Sequence, residues 1–244
     1  MKLVWAYFKT GTLQLLRIPA YLVPTMIFPS MFFLFFAVPN AKTTMTANFV
    51  MASFATFAVL GVALFQFGVG IAAERDTPWE IFLRTLPVSP IIRFAARILS
   101  ALAFSALTVC LLIAVALLTT PVRLGVNEWI RFILGLVLGS VPFALFGIAI
   151  GYWATPKAAL PVANLIYLPL SFAGGLLVPP QNLPDLVAVI SPYLPTRKLG
   201  EVIWSAVLNQ DWQVEHWLWL LGYAIAFGMF AIWGYRRDEG EHYG

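Results

Sequence analysis

Stretches of about twenty apolar residues alternate with short charged or proline-rich breaks through most of the chain. Six such stretches stand out, over about 20–38, 47–73, 94–118, 132–153, 158–178 and 217–235. A helix rises about 1.5 Å per residue and the hydrocarbon core of a bilayer is about 30 Å thick, so runs of this length predict spanning helices. The expected fold is an all-α integral membrane protein with six transmembrane helices. One domain is expected over 1–244: a segment over 1–17, a six-span bundle over 20–235 and a tail over 236–244.

The breaks have patterns of their own. Ahead of the first span, Leu3, Val4, Tyr7, Phe8 and Leu15 are mixed with Lys2, Lys9, Gln14 and Arg17. That mixture suits a helix lying flat among the headgroups, a short orienting anchor being the other reading. Pro24 and Pro29 each withhold a backbone donor inside the first span and predict a bend there.

Between the second and third spans, Thr77 is placed to cap a helix, Pro78 suits its first turn and Glu80 completes a capping box. Trp79, Phe82, Leu83 and Leu86 then recur at i, i+3, i+4 and i+7, until Pro87 and Pro90 end the run. The product is a capped amphipathic helix bearing Glu74, Arg75, Asp76, Glu80 and Arg84: a lever for a soluble partner, or equally an interfacial linker with solvated charges.

About forty residues separate the fifth and sixth spans, long for a plain connection. Leu183, Leu186, Val187 and Ile190 repeat at helical spacing, as do Leu199, Val202, Ile203 and Ala206 after the potential cap Thr196. Both helices are expected in or dipping into the membrane interface, with Trp204, Trp212, Trp217 and Trp219 as aromatic anchors.

Charge orients the bundle. Ten basic residues (Lys2, Lys9, Arg17, Arg75, Arg84, Arg93, Arg97, Lys157, Arg236, Arg237) fall on the side of both termini, and five (Lys42, Arg123, Arg131, Arg197, Lys198) on the other. The positive-inside rule makes the first side cytoplasmic. No Asp, Glu, Lys or Arg stands mid-span, which removes the ion relay of many secondary transporters and any voltage-sensing ladder. No internal repeat is visible. Composition agrees, with 61% hydrophobic and 11% charged residues and a mean hydropathy of +0.85.

The net charge of +4 is scattered over the breaks, so no nucleic-acid partner is expected. Cys110, the single cysteine, excludes an intrachain disulfide, and His216 and His242 are too isolated to build a site. No cleavable signal sequence is expected before the first span.

Polar groups inside spans are the candidate pathway residues: Thr56 and Gln66 in the second, Asn164, Tyr167 and Ser171 on one face of the fifth. Bonding a neighbouring helix, the commoner fate of polar groups in bundles, is the favoured reading for any one of them. Gly135 with Gly139, and Gly147 with Gly151, form two G-x-x-x-G pairs expected to permit close helix packing.

Glu74-Arg75, Trp79-Glu80, Leu83-Arg84 and Leu86-Pro87-Val88-Ser89-Pro90 resemble the cytoplasmic motif of the ABC-2 type transporter permeases. Gly174-Gly175-Leu176-Leu177-Val178-Pro179, Leu183-Pro184 and Pro192-Tyr193-Leu194-Pro195-Thr196 are similar to that family's proline-rich region between spans five and six. The resemblance implies a multi-pass permease in the plasma (inner) membrane of a prokaryote, paired with a second permease subunit and seated on two ATP-hydrolysing subunits. Glu74, Arg75, Asp76, Thr77, Trp79, Glu80, Phe82, Leu83 and Arg84 would couple it to those ATPases. Pro179, Pro180, Leu183, Pro184 and Pro195 would belong to an external gate.

The sequence has no G-x-x-x-x-G-K-[ST], since only Lys9 and Lys42 precede Thr and Phe8 and Ala41 stand where the glycine belongs. No cofactor is expected on this chain, and ATP with Mg²⁺ would bind the partner subunits. An aromatic, uncharged interior suits export of a lipophilic drug, a lipid or a lipid-linked glycan. The alternatives are a membrane enzyme, for which paired carboxylates, a metal triad or a Ser/His couple are missing, and a non-transporting membrane protein.

Overall fold

The computed structural model describes Lys9, residues 23–75, Thr77 and residues 90–243, with side chains for Lys9, Thr77 and residues 25–75 and 98–238. The expected interfacial helix over 1–17, and Asp76, Trp79, Glu80, Phe82, Leu83 and Arg84 of the expected lever, lie outside the described residues. Every regular element among the described residues is helical.

Helix α1, residues 23–40, is not uniform. Two π-helical turns, Val23–Ile27 and Phe33–Ala37, flank an α-helical Phe28–Phe32, and Val38–Asn40 closes as a 3₁₀ turn. Pro24 and Pro29 withhold N–H groups from the regular ladder here, and the wider turns accommodate the mismatch.

Helix α2, Thr44–Glu74, begins on a reciprocal cap. Thr43 Oγ1 accepts the Thr46 N–H at 3.2 Å and Thr46 Oγ1 accepts the Thr43 N–H at 3.1 Å. It is the buried axis of the molecule, with Met51, Phe57, Leu60 and Leu64 sealed from the surface. A π-helical stretch, Ala63–Val69, interrupts it.

Helix α3 runs Pro90–Thr119. Helices α4, Val126–Gly139, and α5, Val141–Trp153, together make one apolar rod with a joint at Ser140, where Pro142 withholds a donor. The rod starts six residues before the expected span over 132–153. Glu128 accepts the Gly125 N–H and fixes the start there, a first-turn carboxylate at the positive helix pole.

Helix α6, Pro156–Ala173, is capped by Thr155, whose Oγ1 accepts the Ala158 N–H at 3.3 Å. It stops five residues before the expected boundary at 178. Gly174 and Gly175 turn the chain, and Gly175 has φ +84°, the left-handed region glycine enters without strain. Then come the short α7, Asp185–Ile190, the buried α8, Pro195–Val207, and the long α9, Val214–Tyr243.

Four helices among the described residues are long and apolar enough to cross a membrane: Thr44–Glu74, Ile98–Thr119, Val126–Trp153 and Val214–Asp238. The first expected span is a shorter apolar helix, Thr25–Asn40. The fifth, α6, is diluted by Lys157, Asn164, Pro161 and Pro169.

The bundle has two distinguishable ends. At the Thr44 end, Asn48 Nδ2 donates to Arg123 O at 2.8 Å and its Oδ1 accepts the Arg123 N–H at 3.1 Å. Arg131 of α4 donates to Gln210 O, and Trp212 Nε1 donates to Val202 O at 3.0 Å, tying the α8–α9 loop to the same end. The carboxyl ends of α2, α5 and α9 gather at the Glu74 end.

Candidate functional site

The candidate residues fall into three groups, at the Thr44 end, in the middle of the bundle and at the Glu74 end. The first is built on α8. Thirteen residues span about 20 Å, too short to cross a bilayer, so this helix enters the bundle and stops. Pro195 starts it after Leu194, and Thr196, expected to cap it, lies in its first turn instead. Thr196 Oγ1 donates to Leu170 O of α6 at 2.7 Å.

Helix α8 packs on α2, α4 and α6, and the expectation that Trp204 anchors it at the interface is corrected. Leu199, Val202, Ile203 and Ala206 face inward, and Trp204 is 4% exposed rather than an interface anchor. Trp204 Nε1 donates to Ser53 Oγ of α2 at 2.8 Å, and the indole stacks on Phe49 at 4.8 Å between ring centroids. Space for this comes from α4: a Cβ on Gly135 would lie 2.8 Å from Ile203 Cδ1, and Gly139 faces Leu199. The G-x-x-x-G expectation of close packing holds here, as it does at Gly147 and Gly151.

Charges rim this wedge. Lys198 is buried, donates to Glu215 Oε1 of α9 at 2.9 Å and lies 5.4 Å from the centre of the Trp219 ring. Arg197 pairs with Glu201 on its own helix at 2.6 Å. His216 stands within the field of Lys198, Glu201, Glu215 and Arg197, so it is less isolated than its sequence position suggests. Of the expected gate residues, Leu183 and Pro195 are buried, Pro179 and Pro180 half-buried and Pro184 exposed.

The candidate pathway residues divide between core and surface. Thr56, Gln66, Tyr167 and Ser171 are buried, Gln66 within the π-helical stretch of α2. Tyr167 joins α6 to α2: its hydroxyl donates to Phe57 O at 2.9 Å, and its ring stacks on Phe57 at 4.5 Å and meets Phe65 edge-on at 5.5 Å. Gly61 leaves the gap its hydroxyl fills. Thr56 Oγ1 returns to Ala52 O on its own helix at 2.8 Å. Asn164 is exposed and donates to Leu160 O at 3.1 Å, so it does not share the buried surroundings of Tyr167 and Ser171.

At the Glu74 end, the start of the charged motif is anchored. Arg75 Nη1 donates to Tyr152 O at 2.5 Å and Gly151 O at 3.3 Å and lies 3.5 Å from Asp238 Oδ1. Gly151 and Tyr152 end α5, where free carbonyls and the negative helix pole favour a cation. Neighbouring Thr77 donates its hydroxyl to Glu74 O at 2.7 Å, while the Glu74 side chain is exposed.

Asp238, 6% exposed, was invisible to sequence reasoning because one carboxylate in a charged tail has no distinguishing spacing. An apolar seam backs the arrangement. A Cβ on Gly147 would lie 2.5 Å from Ala63 O, and one on Gly151 would lie 2.6 Å from Ile71 Cβ, so α5 meets the backbone of α2 directly. On its other side, Trp153 stacks on Phe230 at 5.0 Å, and Tyr152 meets Tyr235 edge-on at 5.4 Å.

Comparison with known proteins agrees with this membrane architecture. A family model described as ABC-2 type transporter matches residues 2–201. The chain is also similar to YvfS of Bacillus subtilis (strain 168), a protein named as a transport permease, with 24% identity over 232 residues that cover 93% of this chain and 94% of the relative.

Proposed function

The chain belongs to the ABC-2 type transporter family, and on that premise we propose that it is the permease half of an exporter powered by separate ATPase subunits. It is a multi-pass membrane protein and a transporter permease subunit by family. Two permease subunits, this chain with a copy or a close homologue, enclose the path, and ATP with Mg²⁺ binds the partner ATPases. Six crossings put both termini and the Glu74 end in the cytoplasm of a prokaryotic cell and the Thr44 end outside, as the ten-to-five distribution of basic residues favours.

In this reading the lever from Glu74 to Pro90 sits in the ATPase surface through Glu74, Asp76, Thr77, Trp79, Glu80, Phe82, Leu83 and Arg84, while Arg75 roots it in the bundle. ATP binding displaces it, and the displacement passes through the bundle to the α7–α8 gate at the outer end. Of the candidate pathway residues, exposed Asn164 is placed to border the path, while buried Thr56, Gln66, Tyr167 and Ser171 brace the helices behind it; the aromatic, uncharged interior suits a lipophilic drug, a lipid or a lipid-linked glycan.

The observation that carries the reading is the anchorage of Arg75, inside the charged motif, on the carbonyl end of α5 and the carboxylate of α9. A loop that only links two spans has no need of such a support, whereas a lever does.

The test is Glu80→Arg in the complex purified through a tagged permease and reconstituted in lipid vesicles. The variant is expected to insert normally and to lower permease-dependent ATP turnover about tenfold, the scale of a like-charge contact at a charged interface. Turnover equal to the unmodified complex would refute the coupling role.

A further inference from the structure

The Arg75 site ties together more than a lever needs for support alone. Three helix ends converge on one guanidinium: α2 supplies Arg75, α5 the carbonyls of Gly151 and Tyr152, and α9 the carboxylate of Asp238. The partners differ in kind. The carbonyls are fixed by the last turn of α5, but Asp238 lies three residues beyond Tyr235, whose ring packs on Tyr152 of α5.

Arg237, next to Asp238, places its guanidinium 5.2 Å from the centre of the Trp153 ring, and Trp153 Nε1 donates to Phe230 O at 3.3 Å. The tail of α9 is therefore held against the end of α5 by stacking and against α2 by charge. Glycine packing of α5 on Phe67 and Ile71 of α2 completes a three-helix plate.

We propose that Asp238 is a transmission residue: through Arg75 it locks the cytoplasmic end of α9 to the root of the lever, so that α2, α5 and α9 move as one body when the lever is displaced. This rests on the coupling role proposed above. The consequence is that force applied near Glu74 reaches the outer wedge by two routes. One is α2 itself, through Ser53 to Trp204, and the other is α9, through Glu215 to Lys198. Without the carboxylate, Arg75 keeps its carbonyl acceptors and α9 keeps its stacking on α5, but the charged tie from α9 to α2 is lost and the second route is weakened.

The experiment uses the permease copurified with its ATPase in lipid vesicles, with Cys110 replaced by Ala. Spin labels at Ala73→Cys and Arg236→Cys, both exposed positions, report the lever root against the α9 tail, and Gln181→Cys supplies an outer reference. Between nucleotide-free and ATP–vanadate-trapped states, the Ala73–Arg236 distance is expected to stay fixed while distances to Gln181 shift. In Asp238→Asn, the Ala73–Arg236 distance should shift on trapping and ATP turnover should fall about fivefold, the scale of one ion pair at the end of the bundle. Asp238→Glu should restore both, which a purely structural loss would not allow.

An unmodified Ala73–Arg236 distance that changes on trapping overturns the lock while leaving the coupling role intact. So does an Asp238→Asn variant that keeps the distance and the turnover. A preparation in which no ATPase copurifies overturns the coupling role and the lock together.

Discussion

The wedge at the Thr44 end and the clamp at the Glu74 end hold helices together by opposite means. Helix α8 is surrounded: eleven of its thirteen residues are buried, its indole and hydroxyl groups are satisfied one by one, and α4 gives up side chains at Gly135 and Gly139 to admit it. Its cohesion is spread over many small contacts, as in any close-packed interior. The clamp concentrates directional bonds on one side chain, with Arg75 serving Gly151, Tyr152 and Asp238. A distributed contact yields only as a block, which suits a gate. A concentrated one can be released by a single change, which suits a joint.

Breaking the wedge should have the largest effect. Trp204→Ala removes the stack on Phe49, leaves the Ser53 hydroxyl without its donor and opens a cavity between α2 and α8. The expected cost is about 4 kcal/mol, the range of buried aromatic truncations. Denaturant unfolding in mixed micelles would measure it. A thiol probe at Ser53→Cys in the same background should become reactive, while one at Ala73→Cys should label as before. Parallel increases at both positions would mean that the two ends are not separable.

The converse variant is Gly151→Val. Its side chain would drive into Ile71 Cβ at 2.6 Å and Phe67 O at 2.7 Å, where the far atoms belong to the branch point of a β-branched residue and to backbone, neither of which can rotate away. A loss of about 3 kcal/mol is expected. Helix α5 must lift from α2, carrying the Gly151 and Tyr152 carbonyls away from Arg75. Labelling near Ala73 should rise and labelling at Ser53→Cys should not. Combined with Trp204→Ala, the two losses should add to within about 0.5 kcal/mol if wedge and clamp share no partner.

The difference between the two regions also explains what could be read from the sequence. Uniformly apolar runs announced α2, α3 and α9 because length and hydropathy are local properties. The G-x-x-x-G pairs announced close packing but not what they pack against, since the same pattern at Gly135 admits α8 and at Gly147 admits α2. For α8, the periodicity of Leu199, Val202, Ile203 and Ala206 was correct. Where that apolar face packs was not legible, because nothing local to α8 records the hollow that α4 offers.

Trp204 misled for the same reason, an interface and a core being equally good homes for an indole with one donor. The clamp was least legible. Arg75 lay inside a recognised motif, yet its acceptors are two carbonyls, which any sequence would supply, and a carboxylate near the opposite end of the chain.

Between wedge and clamp stands Tyr167, and the smallest predicted effect sharpens the comparison most. Its hydroxyl reaches Phe57 O, one turn of α2 beyond Ser53 and a turn and a half before the π-helical stretch, while its ring lies between Phe57 and Phe65. Tyr167→Phe deletes the hydrogen bond and keeps both ring contacts. Because a helix carbonyl retains its own intrahelical donor, losing the extra bond leaves no orphaned group, and interhelical bonds in membranes average about 0.6 kcal/mol. The variant should therefore unfold at a denaturant concentration barely below that of the unmodified chain.

Tyr167→Leu, which removes the stack as well, should cost several times more. That ratio would place α6 with the wedge, held by shape. Should Tyr167→Phe instead lose about 2 kcal/mol or more, the hydroxyl would be a directional bond of the clamp kind, and α6 would be a second joint on α2.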